Sequence, residues 1–340
     1  MHVCIVGGIF DKPEDYRAQH SISPETMLAG GLSQRGWVVT LAGHAGPLVP
    51  EDYDLVHVHH FGRAALRLAA ATRRPPFVLT THDPFAMNRL PVAWKRRLTD
   101  RFILRKTNAV VALSRAERDF LTRRRDLRPE RIAVIPNGIC ASVFDRISSP
   151  AALDHDLLLF VGQLQKFKGL DYLLNALPAV RAVHPGIKLS VVYQTGALLD
   201  DYRAQAARLG LNRCVEFAGS KPADALAVLY SKAAVVVSPS LGECLSTVVL
   251  EAMFCGAPVV ATDVGGIREQ LDEETGVIVP PRDSAALAQA ICTLLADPQR
   301  RRQMGAAACQ KARAKFSVSQ MIDRHVRLYE QLLETHARAA

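Results

Sequence analysis

Two open α/β domains in tandem, each built on a parallel sheet, are predicted from three observations. Short apolar runs alternate with helix-patterned segments from end to end, the signature of βαβ units. The alternation breaks once, in the turn-rich residues 136–150. The length of 340 residues exceeds what one hydrophobic core usually serves.

In the first half, strands are expected at 3–6, 38–42, 55–59, 77–80, 109–113 and 131–135, with helices at 23–35, 62–72, 92–106 and 115–123. After the break, strands are expected at 157–161, 188–192, 215–217, 234–238, 259–261 and 276–278. Helices fall at 170–183, 200–209, 222–230, 246–255 and 284–296, and the last stretch, 304 to about 338, is expected to be helical and amphipathic. The predicted domains are therefore 1–148 and 149–316, with 317–340 crossing back to pack on the first. Ligands of open α/β sheets bind beyond the carboxyl ends of the strands, so a cleft between the two domains is the expected site.

Composition narrows the class. Hydrophobic residues make up 49% and charged residues 22%, a globular balance. The opening run MHVCIVGGIF lacks a basic start and breaks at Gly7-Gly8, so it reads as a buried strand and not a signal peptide. No apolar run reaches the ~20 residues a spanning helix needs. The seven cysteines are an odd number without a CxxC pair. That argues against a disulfide framework or zinc site and for a reducing, cytoplasmic setting.

Charge is lopsided. Residues 1–146 hold 22 Lys and Arg against 14 Asp and Glu, leaving +8 of the total +9. A basic first half suggests an anionic partner (a phosphorylated acceptor, a membrane surface or nucleic acid) or, equally, a basic surface that serves solubility alone. No stacking platform interleaves with the arginines, so nucleic acid is not expected. Residues 91–106, PVAWKRRLTDRFILRK, form a basic amphipathic helix with Trp94, Leu98, Arg101 and Arg105 along one side. Such a helix could rest on an anionic membrane as a peripheral contact. The favoured expectation is that its apolar side packs on the domain and its arginines are solvated.

The chemistry concentrates in residues 238–281, SPSLGECLSTVVLEAMFCGAPVVATDVGGIREQLDEETGVIVPP. A strand ends near Ser238, a glycine-containing loop follows, and a helix opens near Ser246. That helix closes with Gly256 and Pro258. The amides of Leu245, Ser246 and Thr247 at its start lack intrahelical acceptors, which makes a diphosphate site. Thr247 and Glu251 are four apart and share a face. Glu251 thus lies one turn deeper, in reach of a ribose diol, while Glu243 in the loop lies nearer a sugar.

Glu243 and Glu251 also form an E-x7-E pair. Together with the run around it, the pair resembles the retaining glycosyltransferases of family 4 (glycosyl transferases group 1). Further matching segments are Val134-Ile135-Pro136-Asn137-Gly138-Ile139, Phe160-Val161-Gly162-Gln163-Leu164 leading to Lys168-Gly169, Val215-Glu216-Phe217-Ala218-Gly219, Val56-His57-Val58-His59 and Thr81-His82-Asp83. The resemblance covers nearly the whole chain. It implies the GT-B fold and a hexose-type sugar moved from a UDP- or GDP-sugar to a hydroxyl acceptor: a glycan, a lipid-linked or a small molecule. It implies no cofactor and no metal. Lys168 is placed against the donor diphosphate, where a cation stabilises the leaving nucleotide. His82 faces donor sugar and acceptor as a neutral imidazole, and Gly162, Gln163 and Gly8 line the donor.

Three departures stand out. Gln163 occupies a position where relatives usually carry arginine, which removes a bidentate contact to phosphate. The usual glycine pair before the first helix is replaced by Ile22-Ser23-Pro24-Glu25-Thr26. The usual base loop is replaced by Tyr193-Gln194-Thr195-Gly196, so the base is open. His57 and His59 have a spacing that suggests a metal, but no carboxylate follows nearby, and they read as structural or acceptor-lining. Two other functions fit the pattern: a nucleotide-sugar epimerase on the same fold, which needs no acceptor, and a non-catalytic nucleotide-sugar binder. Slow donor hydrolysis without acceptor separates a catalyst from a binder.

Overall fold

The structure is a computed structural model that describes residues 1–19, 23–82, 94–125, 127–140, 154–194 and 196–339. The chain divides into two compact units, Met1–Cys140 with Ser317–Ala340, and Ala141–Phe316. The boundary expected at 148/149 lies outside the described residues.

In the first unit, strands β1 (His2–Val6), β2 (Val38–Ala42), β3 (Leu55–His59), β4 (Phe77–Thr80), β5 (Ala109–Ala112) and β6 (Ile132–Val134) form one sheet in the order β2-β1-β3-β4-β5-β6. Every pairing is parallel. Its helices are α1 (Glu14–Gln19), α2 (Pro24–Gln34), α3 (Arg63–Ala70), α4 (Trp94–Lys106) and α5 (Arg115–Arg125). Strands such as β4 and β5 are buried at every residue, as a sheet covered on both faces requires. The strand order reverses between β1 and β3, which brings Gly7-Gly8 and His59-His60 side by side at their carboxyl ends.

The second unit repeats the plan. Its strands are β7 (Asp154–Val161), β8 (Lys188–Val192), β9 (Val215–Gly219), β10 (Ala233–Ser238), β11 (Val259–Thr262) and β12 (Val277–Val279). They pair in parallel in the order β12-β11-β10-β7-β8-β9. The helices are α6 (Leu170–Val183), α7 (Leu199–Arg208), α8 (Ala223–Lys232), α9 (Thr247–Phe254), α10 (Ile267–Gln270), α11 (Ser284–Ala296) and α12 (Pro298–Lys315). Here the order reverses between β7 and β10. The residues that follow those two strands lead to Lys168 and to Glu243.

The helical stretch expected over 304–338 is made of two helices, α12 and α13 (Val318–Ala339). No glycine or proline marks the break. It is made by a long-range pairing instead: Ser317 bridges Ile139, and the Val318 amide donates to the Ile139 carbonyl at 3.2 Å. Met321, Ile322 and Tyr329 of α13 join Leu28, Leu32 and Trp37 in the core on one face of the first sheet. Among the described residues, no helix is long and apolar enough to cross a membrane.

Helix α4 differs from expectation. Asp100, Ile103 and Leu104 face inward at 1% exposure each, whereas Trp94 and Leu98 stand 67% and 60% exposed. The packed side of this helix is therefore its other apolar edge.

Candidate functional site

In the second unit, β10 (AAVVVS) is buried at every position and delivers the loop 239–246 to the sheet's carboxyl edge. Ser246 caps α9, its hydroxyl accepting from the Val249 amide at 3.4 Å, which satisfies one first-turn donor. The amides of Thr247 and Val248 begin the helix and have no intrahelical acceptor. Both residues are partly exposed.

The Ser246 amide was expected to be free for a ligand and is not. It donates to Gln270 Oε1 at 3.0 Å, and Gln270 Nε2 returns a bond to the Ser246 carbonyl at 2.8 Å. Gln270 is fully buried, so this reciprocal pair pins the start of α9. The helix itself begins one residue later than predicted and ends one earlier.

Lys168 lies on a 3-10 turn, Lys166–Lys168, after β7. The next residue, Gly169, has φ +69, and a Cβ there would overlap the Pro239 carbonyl oxygen. Only glycine allows this close approach. The Leu241 amide also donates to the Phe167 carbonyl at 2.7 Å. Thr262 of β11 donates its hydroxyl to the Ser240 carbonyl, and the Gly266 amide donates to the Cys244 carbonyl at 3.1 Å. The loop is thereby tied to its neighbours on both sides.

These ties set Lys168 Nζ at 2.7 Å from Glu243 Oε1. Ser240 donates its hydroxyl to the same oxygen at 2.8 Å. Glu243 is 7% exposed, and the Lys168 side chain is 21% exposed. A cation and a carboxylate thus sit together at the topological switch point, where phosphate and sugar chemistry needs them.

Glu251 lies one turn into α9. Its Oε2 accepts from the Tyr230 hydroxyl of α8 at 2.8 Å. Burial pushes the Glu251 carboxyl up to about 7, and the Tyr230 bond offsets part of that rise. Tyr230 itself is fully buried. Gly162 continues β7, its amide donating to the Val192 carbonyl at 3.0 Å. Gln163 is exposed, with its Oε1 accepting from Gln165 Nε2 at 2.8 Å. Tyr230 and Gln270 were not anticipated from the sequence.

In the first unit, Gly8 opens a 3-10 turn, Gly8–Asp11. His82 follows β4 with φ +43, and its Nε2 lies 3.1 Å from His59 Nδ1. Burial, then His60 and His59, push the His82 pKa well below its usual value. Burial likewise brings His59 and His325 down to about 4. These imidazoles are neutral at pH 7. His57 bonds Tyr329 through Nδ1 at 2.5 Å and Thr80 through Nε2 at 2.7 Å, which makes it a buried structural link between β3, β4 and α13. Asp83 lies outside the described residues, as do Ile22, Thr195 and residues 91–93.

The histidines do have a carboxylate neighbour. Glu25 on α2 is 6% exposed, and Glu25, His59 and His82 bring ligand atoms within 4.8 Å of one another. Glu25 stands 34 positions upstream of His59, so sequence spacing did not reveal it.

Comparison with known proteins follows the same division. Residues 155–297 match the model of glycosyl transferases group 1, and residues 12–142 match that of glycosyltransferase family 4. A D-inositol 3-phosphate glycosyltransferase of Frankia alni is 33% identical over 326 residues, covering 88% of this chain and 78% of that protein. The chain belongs to glycosyltransferase family 4. A second family 4 member, D-inositol 3-phosphate glycosyltransferase 1 of Catenulispora acidiphila, is 31% identical over 84% of this chain and 74% of its own.

Solved structures agree on the fold, which is GT-B. Sucrose-phosphate synthase from Thermosynechococcus elongatus superposes with a TM-score of 0.83 at 23% identity, covering 98% of this chain and all of its own. Anabaena HepE in complex with UDP and glucose has a TM-score of 0.76 at 20% identity, covering 96% and 99%. This family 4 chain is accordingly a transferase enzyme with two parallel-sheet units.

Proposed function

We propose that this glycosyltransferase takes a hexose-type sugar from a UDP-sugar and transfers it, with retention, to a hydroxyl of a phosphate-bearing acceptor. The observation that carries the donor half is the Lys168–Glu243 pair at the β7/β10 switch point, one turn above a Glu251 oriented by Tyr230. The donor diphosphate meets the amides of Thr247 and Val248, with that of Leu245 beside them, and draws Lys168 off Glu243. Glu243, keeping its Ser240 bond, then accepts from sugar hydroxyls, and Glu251 accepts from the ribose diol. Lys168 stabilises the charge that develops on the departing diphosphate.

No described carboxylate is assigned as a nucleophile. Front-side attack, with the departing phosphate taking the acceptor proton, suits that assignment and gives retention. His82, neutral through burial, is the candidate hydrogen-bonding partner for sugar hydroxyls. No step is assigned to a metal. The phosphate-bearing acceptor is supported by the +8 charge of residues 1–146 and by relatives named for D-inositol 3-phosphate. UDP is supported by the UDP-bound HepE structures.

The test is a thermal-shift panel of UDP, GDP, ADP and dTDP with Glu251→Ala alongside, followed by NMR of the product. Ligand at ~100 times its dissociation constant adds ~2.7 kcal/mol. UDP is expected to stabilise the wild type and to fail on Glu251→Ala. Stabilisation by another nucleotide alone sinks the donor assignment, and an inverted anomeric centre sinks the retaining chemistry.

A further inference from the structure

Helix α4 reads WKRRLTDRFILRK. Trp94, Leu98 and Phe102 recur every four residues and lie along one stripe. They are 67%, 60% and 40% exposed. The core is served by the opposite edge, where Ile103 and Leu104 pack with Ala65, Leu68 and Ala69 of α3. Among the described residues, Trp94, Leu98 and Phe102 are not members of the core that Ile103 and Leu104 join.

Six cations accompany it: Lys95, Arg96, Arg97, Arg101, Arg105 and Lys106. The one acid of the helix, Asp100, is buried and lies 3.7 Å from Arg96. The neighbouring helix α3 also exposes Leu66 and Arg63, while Arg67 donates to the His44 and Gly46 carbonyls. Past Phe102, a pocket of about 460 Å³ opens between Lys106, Arg74, Asn108 and the end of α3.

We infer that this face docks on an anionic lipid bilayer. Large apolar side chains ringed by cations match the acyl–headgroup boundary, where tryptophan is at home and arginines meet lipid phosphates. An acidic protein surface would account for the cations but not for three large apolar side chains held out in water at one spacing. The sequence alone favoured packing for this stripe. Its exposure in the structure reverses that reading. The inference does not depend on the transferase reading, because binding is read without donor or acceptor.

The probe is vesicles of phosphatidylcholine, with or without ~30% phosphatidylglycerol. The chain has two tryptophans, and Trp37 is buried at 7% exposure, so Trp94 reports the contact. Full-length protein is expected to co-sediment with anionic vesicles and to show a blue shift of Trp94 emission. Each cation near the surface adds roughly fivefold, so the paired reversal Arg97→Glu with Arg101→Glu should weaken binding by at least tenfold. Leu98→Asp, at a solvent position that leaves the fold alone, should weaken it by a similar factor. Binding falls as salt rises.

Three results overturn the inference. One is no binding to anionic vesicles at low salt. Another is binding that Leu98→Asp leaves unchanged, which marks a merely cationic surface. The third is a Trp94 shift produced by an acidic protein or polyanion and not by vesicles.

Discussion

Replacing Tyr230 by phenylalanine isolates one hydrogen bond at the candidate ribose carboxylate. Tyr230 is fully buried and Phe keeps its shape, so the change is the hydroxyl that donates to Glu251 Oε2 at 2.8 Å. A bond to a charged acceptor contributes ~1.5–3 kcal/mol, and one to a neutral acceptor about half that. Burial has raised the Glu251 carboxyl from 4.5 to about 7, and the Tyr230 bond lowers it. Losing the bond moves that pKa further up. A rise of about one unit corresponds to ~1.4 kcal/mol. At pH 7.5 the ionised fraction of Glu251 would drop from roughly three-quarters to roughly one-quarter, about threefold. Loss of orientation adds to this, so UDP affinity at pH 7.5 should fall roughly three- to tenfold.

The pH profile carries the test. If the ionised carboxylate holds the ribose, wild-type affinity rises with pH through about 7, and the midpoint in Tyr230→Phe is displaced upward. Above about pH 9 the gap should narrow to the part due to lost orientation, roughly threefold or less. Titration calorimetry with UDP from pH 6 to 9 reads both curves. A loss of equal size at every pH would refute the ionisation argument, and no loss at all would remove Glu251 from the ribose. Stability follows the opposite course. The folded pKa is raised, so the proton on Glu251 favours the folded state. That stability is complete below about 4.5 and is lost as pH rises through about 7.

Gly169→Ala forces a Cβ onto φ +69 and into the Pro239 carbonyl. A left-handed residue costs roughly 1–2 kcal/mol before any clash, so a lower Tm and a weaker UDP affinity should appear together in melting and titration. An unchanged Tm would show that the two loops tolerate separation. Lys168→Met keeps the length of the side chain and removes the cation. It should lower kcat by tenfold or more, because its partner charge appears in the transition state; a change in KM alone would make Lys168 a binding group only. Turnover should survive EDTA, and a loss restored by added metal would assign the Glu25–His59–His82 cluster to catalysis.

Local chemistry was legible and long-range pairing was not. The run AAVVVS announces a buried strand, and Ser246 announces a helix start through its hydroxyl. Glu251 follows one turn later by helical period alone. Gln270 reaches the Ser246 backbone from 24 positions away, and Glu25 reaches the histidines from α2. Gln270 and Ser246 follow the paired neighbours β11 and β10, and Glu25 meets the end of β3 across the β1/β3 reversal; no local pattern encodes either juxtaposition. Helix α4 failed for another reason. Its period yields two apolar edges, Trp94-Leu98-Phe102 and Ile103-Leu104. Pattern cannot choose which of them the sheet will cover.

The donor-side geometry explains why a partly buried ion pair is retained at the β7/β10 switch point. An isolated buried pair is weak evidence for stability, since desolvation consumes most of the attraction. Lys168 and Glu243 are held together by constraints that do not involve their charges: Gly169 against Pro239, Phe167 bonded to Leu241, Thr262 to Ser240, Gly266 to Cys244 and Gln270 to Ser246. A backbone fixed in this way keeps both side chains in place when a diphosphate takes the lysine. Glu243 then keeps Ser240 as a donor and loses only its cation. The pair therefore holds its charges ready for the ligand, and little reorganisation remains when the donor arrives.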